Sequence, residues 1–101
     1  MEASTVEAAK RLLDAVGEAK ARVERQQKFV DGLVNFTSDV IDLEVKLLTN
    51  PSAYYDSDKY TVYRPRIEKR HLLAFELQRL AEVKRDLAQR EYALATFKGA
   101  Q

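Results

Sequence analysis

The sequence predicts an all-α fold, a long antiparallel helical hairpin of coiled-coil type. Three observations predict it. Leu73-Ala74, Leu80-Ala81, Leu87-Ala88 and Leu94-Ala95 recur at seven-residue spacing, which keeps one stripe of a helix against a partner helix. Ala9, Leu12, Val16, Ala19, Val23, Gln26, Val30 and Leu33 follow the three-four spacing of a second such stripe. Between the two stands Thr49-Asn50-Pro51, a helix stop, in a chain of 101 residues with only three Gly and two Pro.

The elements follow in order. Ser4-Thr5-Val6-Glu7 reads as a capping box opening a helix over residues 4–49. After Leu33 its stripe slips by one residue and continues through Phe36, Val40, Leu43 and Leu47. Gly17 and Gly32 lie inside it, each costing about 1 kcal/mol relative to alanine. A break at either one turns the hairpin into the alternative, a three-helix bundle. Residues 50–64 form a Tyr-rich loop. Pro65, a favoured first helical residue, starts a second helix over 65–98, and Gly99 stops it. The two helices span roughly 68 and 50 Å at 1.5 Å per residue, within a single domain covering 1–101.

With the repeating leucines at heptad position d, the alanines fall at e, where they leave room for a partner backbone. Arg70, Leu77, Lys84 and Glu91 then fall at a. An antiparallel fold sets Lys84 near Asp31 and Glu91 near Arg22 or Arg25, so that paired charges fix the register. Phe29, Val34, Ile41, Leu72, Phe75 and Val83 lie on the flanks of these stripes. Apolar residues spread so widely point to self-association, a homodimer that completes a four-helix bundle.

Composition narrows the function. Hydrophobic residues make up 46% and charged residues 33%, the balance of a soluble, extended helical protein. Net charge is +1, which favours no class of partner, and the absence of Cys excludes disulfides and thiolate metal sites. No apolar run approaches the length of a membrane span, so no membrane partner is expected. Met1-Glu2-Ala3-Ser4 lacks the apolar core of a signal peptide, so the expected location is the cytoplasm. Catalysis has little to work with. His71 is the one histidine, and Asp56-Ser57-Asp58 lacks the glycine and terminal glutamate of a calcium loop. No phosphate loop or nucleophile elbow appears. The expectation is a non-enzymatic protein with no cofactor and no metal.

The recognition surface is expected at the hairpin tip. Tyr54, Tyr55, Tyr60 and Tyr63 crowd ten positions, and tyrosine suits binding hot spots because it combines contact area, a hydroxyl and few rotatable bonds. The same residues could instead cap the hairpin core. Arg64, Arg66, Lys69 and Arg70 follow directly. The sequence therefore predicts a protein-protein interaction module of the assembly, adaptor, chaperone-like or inhibitor kind, consistent with a small phage or bacterial accessory protein. It would act through helical surfaces and a Tyr/Arg-rich tip. The alternative is a nucleic-acid binder using the basic segment Arg64–His71, where cations beside aromatics could hold phosphate and stack bases.

Overall fold

The computed structural model describes residues 3–97. The element order is α1 (Ala3–Asn35), β1 (Val40–Asp42), β2 (Val45–Leu48), α2 (Asp56–Lys59), β3 (Tyr60–Tyr63), β4 (Arg66–Glu68) and α3 (Lys69–Ala95). Two antiparallel sheets of two strands, β1 with β4 and β2 with β3, overturn the all-α expectation and the helix bundles that went with it. The chain divides into two compact units. One is helical and holds the sequence up to Phe36 and from Leu73 onward; the other is Thr37–Leu72.

In the helical unit α1 runs unbroken through Gly17 and Gly32, so the expected three-helix alternative does not form. Both glycines are exposed, and a Cβ at either would meet no atom within 4 Å. Gly17→Ala and Gly32→Ala are therefore each expected to stabilise α1 by about 0.5–1 kcal/mol, read as a higher midpoint in thermal circular dichroism. A loss of stability at either site would contradict the open surroundings. Ser4 and Glu7 are already helical, so they do not form the expected cap. The second long helix, α3, ends at Ala95, short of the expected 98, and the expected stop at Gly99 lies outside the described residues.

The seam of α1 contains all eight positions its spacing predicts, from Ala9 to Leu33, and adds Thr5. Thr5, Val16, Ala19, Val30 and Leu33 are buried, and Ala9, Leu12, Val23 and Gln26 are half-buried. These nine positions form two interleaved seven-residue series, the pattern of a coiled-coil seam. On α3 the leucines of the repeat, Leu73, Leu80, Leu87 and Leu94, also turn inward. The expected phase is wrong, however. Ala74, Ala81, Ala88 and Ala95 are all exposed, while Glu76, Val83 and Arg90, three residues after successive leucines, are buried or half-buried. The leucines thus act as position a, with Glu76, Val83 and Arg90 at d. Lys84 and Glu91, expected as buried pairs, are exposed.

Gln26 Nε2 donates to Glu76 Oε2 (2.6 Å) and to the Glu76 main-chain oxygen (3.0 Å). Arg22 Nη1 lies 3.6 Å from Asp86 Oδ2. Stepping back along α1 steps forward along α3, so the two helices are antiparallel.

The second unit is where the first helix was expected to continue. Phe36 N donates to Leu33 O (3.2 Å), closing the last turn of α1, and the chain then becomes extended. Ile41-Asp42-Leu43-Glu44-Val45-Lys46-Leu47 alternates apolar and charged without a fault, which is the period of a strand. Its partner Tyr60-Thr61-Val62-Tyr63 is aromatic and β-branched, the composition that fits a pleated surface.

The two small sheets share one register. Val40 faces Glu68, Ile41 faces Ile67, Val45 faces Tyr63 and Leu48 faces Tyr60, without a slip between the two sheets. They are one ribbon interrupted at Pro65. Leu43 N donates to Pro65 O (3.0 Å), but Pro65 has no amide to return the bond. Proline there interrupts a ladder instead of opening a helix, and α3 begins at Lys69. The ribbon is closed at its far end by Thr49 N and Asn50 N on Lys59 O, and by a 2.7 Å hydrogen bond between the Thr49 and Thr61 hydroxyls. At its base Lys69 N donates to Asp39 O (2.8 Å). The expected loop 50–64 therefore contains a one-turn helix, α2, and strand β3.

Candidate protein-binding site

Strand alternation gives the ribbon two unlike faces. One carries Ile41, Leu43, Val45 and Leu47 opposite Tyr63, Pro65 and Ile67. Val45, Leu47 and Tyr63 are exposed there, while Ile41, Leu43 and Ile67 are half-buried. The other face carries Asp42, Glu44 and Lys46 with Arg64, Arg66 and Glu68.

That charged face is paired across the strands. Arg66 Nε donates to Asp42 Oδ1 at 3.0 Å, and Arg64 Nε lies 4.0 Å from Glu44 Oε2. Each arginine sits directly opposite its acid, the spacing at which cross-strand pairs meet. Arg70 Nε donates to Glu68 Oε2 at 2.6 Å. All these groups are well exposed, so each pair is worth at most about 1 kcal/mol. The basic run of the sequence thus meets an acid at three of its arginines. Lys69 is half-buried and also has an interaction of its own. His71 is exposed.

The tyrosines stand out from this ribbon. Tyr54 is 91% exposed, Tyr55 65%, Tyr63 53% and Tyr60 45%. Tyr54 and Tyr55 meet edge to face, with ring centroids 4.9 Å apart and planes at 87°. Tyr55 precedes the single turn of α2, which is held by Asp58 N on Tyr55 O (3.0 Å) and by a 3.1 Å Lys59–Asp56 ion pair. That turn carries Tyr54 and Tyr55 on one side and delivers Tyr60 into β3 on the other. Tyr60, Val62 and Lys46 line a shallow depression with Asp56 and Ser57.

The residues expected to drive self-association are placed differently from one another. Phe29, Val34 and Phe75 are exposed, Ile41 is half-buried on the apolar ribbon face, Val83 belongs to the helical seam and Leu72 is buried. The ribbon itself was missed, and with it the salt bridges that hold Arg64 and Arg66. The strict alternation over residues 41–47 was the signal that could have found it. Glu76 was missed too; Gln26 inside an otherwise apolar stripe pointed to a polar partner there.

Among the described residues no group of three or more His, Cys, Asp or Glu side chains is gathered to hold a metal ion. No helix among them is long and apolar enough to cross a membrane. The chain matches no protein-family model, and no curated protein or solved structure matches it.

Proposed function

We propose that this chain is a non-enzymatic protein-binding module that works as a homodimer in the cytoplasm, with its specific contact at the stretch from Tyr54 to Arg70. One observation carries the reading. The four tyrosines of that stretch are all exposed, Tyr60 and Tyr63 on the hydrogen-bonded ribbon and Tyr54 and Tyr55 at the α2 turn beside it, so none is taken up in capping a core. Tyrosines held by a framed backbone lose little further freedom on binding, and that favours affinity. The exposed apolar face around Val45, Leu47 and Tyr63 continues the same surface. The cross-strand pairing of Arg64 and Arg66 counts against a phosphate-binding role, because each arginine would have to leave a carboxylate to meet a phosphate.

Two pairs of substitutions test this. Proteins retained by the immobilised chain from its host lysate, identified and then titrated singly, are expected to lose at least tenfold in affinity with Tyr55→Ala and Tyr60→Ala. They are expected to change little with added salt. Binding to single-stranded or duplex nucleic acid that falls steeply with salt and is lost with Arg64→Ala and Arg66→Ala would replace this reading with the nucleic-acid one.

A further inference from the structure

The ribbon has two long edges, and they differ. Leu43, Thr49 and Lys69 donate to Pro65, Lys59 and Asp39, so the odd-numbered residues turn their amides and carbonyls inward. In an antiparallel ladder the residues between them turn theirs outward. On the first edge these are Val40, Asp42, Glu44, Lys46 and Leu48. Val40 is already closed locally, since its amide donates to Ser38 Oγ (3.2 Å) and its carbonyl accepts from that hydroxyl (3.0 Å). The open stretch is therefore Asp42 to Leu48.

We infer that this open edge, β1 with β2, pairs antiparallel with the same edge of a second copy, about a two-fold axis at Val45. The inference rests on the homodimer proposed above and assigns its contact. A two-fold at Val45 sets Asp42 opposite the second copy's Leu48, and Glu44 opposite its Lys46. All four outward-facing residues then find an outward-facing partner, and each such pair exchanges two backbone hydrogen bonds. On the apolar face Leu43 meets Leu47, and Val45 meets its own copy.

Charge selects this register. Lys46 forms no ion pair among the described residues, while Glu44 holds Arg64 only at the 4.0 Å limit. The two-fold brings Lys46 to the second copy's Glu44, twice per dimer, in the isologous way such a contact requires. Shifting the axis to Glu44 would set that carboxylate against its own copy and call on the occupied Val40.

The opposite edge, β3 with β4, offers nothing equivalent. Its outward residues are Tyr60, Val62, Arg64, Arg66 and Glu68, and Glu68 already holds Arg70 at 2.6 Å. A two-fold at Tyr63, Arg64 or Pro65 sets each arginine against another arginine or against Val62 or Tyr60. Like charges on an edge are a device against pairing. A two-stranded ribbon is also marginal by itself, and joining two makes a four-stranded sheet with one continuous apolar face.

The test compares two prolines placed opposite each other in the ribbon. Lys46 faces Val62, and both turn their amides outward, so Lys46→Pro and Val62→Pro each remove one edge donor and no inner ladder bond. The oligomeric state is read by light scattering over a concentration series, with circular dichroism to check folding. The wild type and Val62→Pro are expected at twice the 11.6 kDa of one chain. Lys46→Pro is expected to raise the dissociation constant at least tenfold. Lys46→Glu keeps the backbone and sets like charges across the axis, so it reads the same contact if the proline variant does not fold. It should weaken the dimer, and Glu44→Lys combined with Lys46→Glu should restore it. A dimer indifferent to every Lys46 substitution overturns the edge pairing and leaves the homodimer standing. A wild type that stays monomeric throughout overturns both.

Discussion

Gln26→Leu is expected to lower the stability of the helical unit by about 2–3 kcal/mol, although it replaces a polar residue in a seam with an apolar one. The reason lies across the seam. Glu76 is only 4% exposed, and Gln26 supplies the shorter of the two side-chain contacts its carboxylate makes, the other being Arg79 Nη1 at 3.4 Å. Leucine at 26 leaves a buried carboxylate with one long partner and removes the bond to the Glu76 carbonyl as well. A buried charge deprived of its partner costs far more than the pair was worth. Exchanging both members, Gln26→Leu with Glu76→Leu, is expected to recover the loss or exceed wild-type stability. Urea denaturation followed by helical circular dichroism of the two variants decides it. A single-variant effect under about 0.5 kcal/mol would mean that water or Arg79 already satisfies the carboxylate. The polar layer fits a register device, since only one alignment of α1 on α3 brings Gln26 to Glu76.

Leu80→Ala is expected to cost about 2–4 kcal/mol, and Leu77→Ala well under 1 kcal/mol. The two leucines are three residues apart on one helix, so propensity treats them alike. Only their phase distinguishes them: Leu80 is 6% exposed and Leu77 is 47% exposed. Truncating Leu80 removes buried methyl groups from the seam and leaves a cavity; truncating Leu77 removes surface that water already touches. Comparable losses from both would mean that the wide face of α3 is covered by something beyond α1. The same measurement separates the two phases open to the leucine repeat, because the phase with Leu77 at a seam position predicts a large loss there.

The helical pair was legible in the sequence because its signal is long. Eight positions of α1, from Ala9 to Leu33, keep one phase, and no competing pattern fits them. The leucines of α3 were equally plain, but a single seven-residue series fixes a stripe without saying on which side its companion series runs. The alanines suggested one side. Glu76, Val83 and Arg90 occupy the other, and two charged residues among three hid that series. The ribbon was lost for a different reason. Val40, Leu43 and Leu47 fit helical spacing as well as strand spacing, so extending α1 through them needed only a one-residue slip. That slip at Phe36 marked the end of the helix. Proline misled in the same direction: Pro65 suits a first helical turn, and only its position opposite Leu43 shows that it interrupts a ladder. The tyrosines and arginines of the candidate site were identified from composition alone. Their frame was not, and the frame decides that Arg64 and Arg66 face acids on a neighbouring strand.

The unbroken register of the ribbon also bears on how fast the chain reaches its fold. The pairs closest in sequence, Asn50 and Thr49 with Lys59, lie beside the α2 turn, and the most distant, Asp39 with Lys69, lie at the base. Pairing can start at the turn and zip outward, each step closing only a small additional loop. Contact between Gln26 and Glu76, fifty residues apart, then follows at a much reduced entropic cost, because most of the intervening chain is already ordered. Pro65, with its missing bond halfway along, is the step at which that zipper should pause.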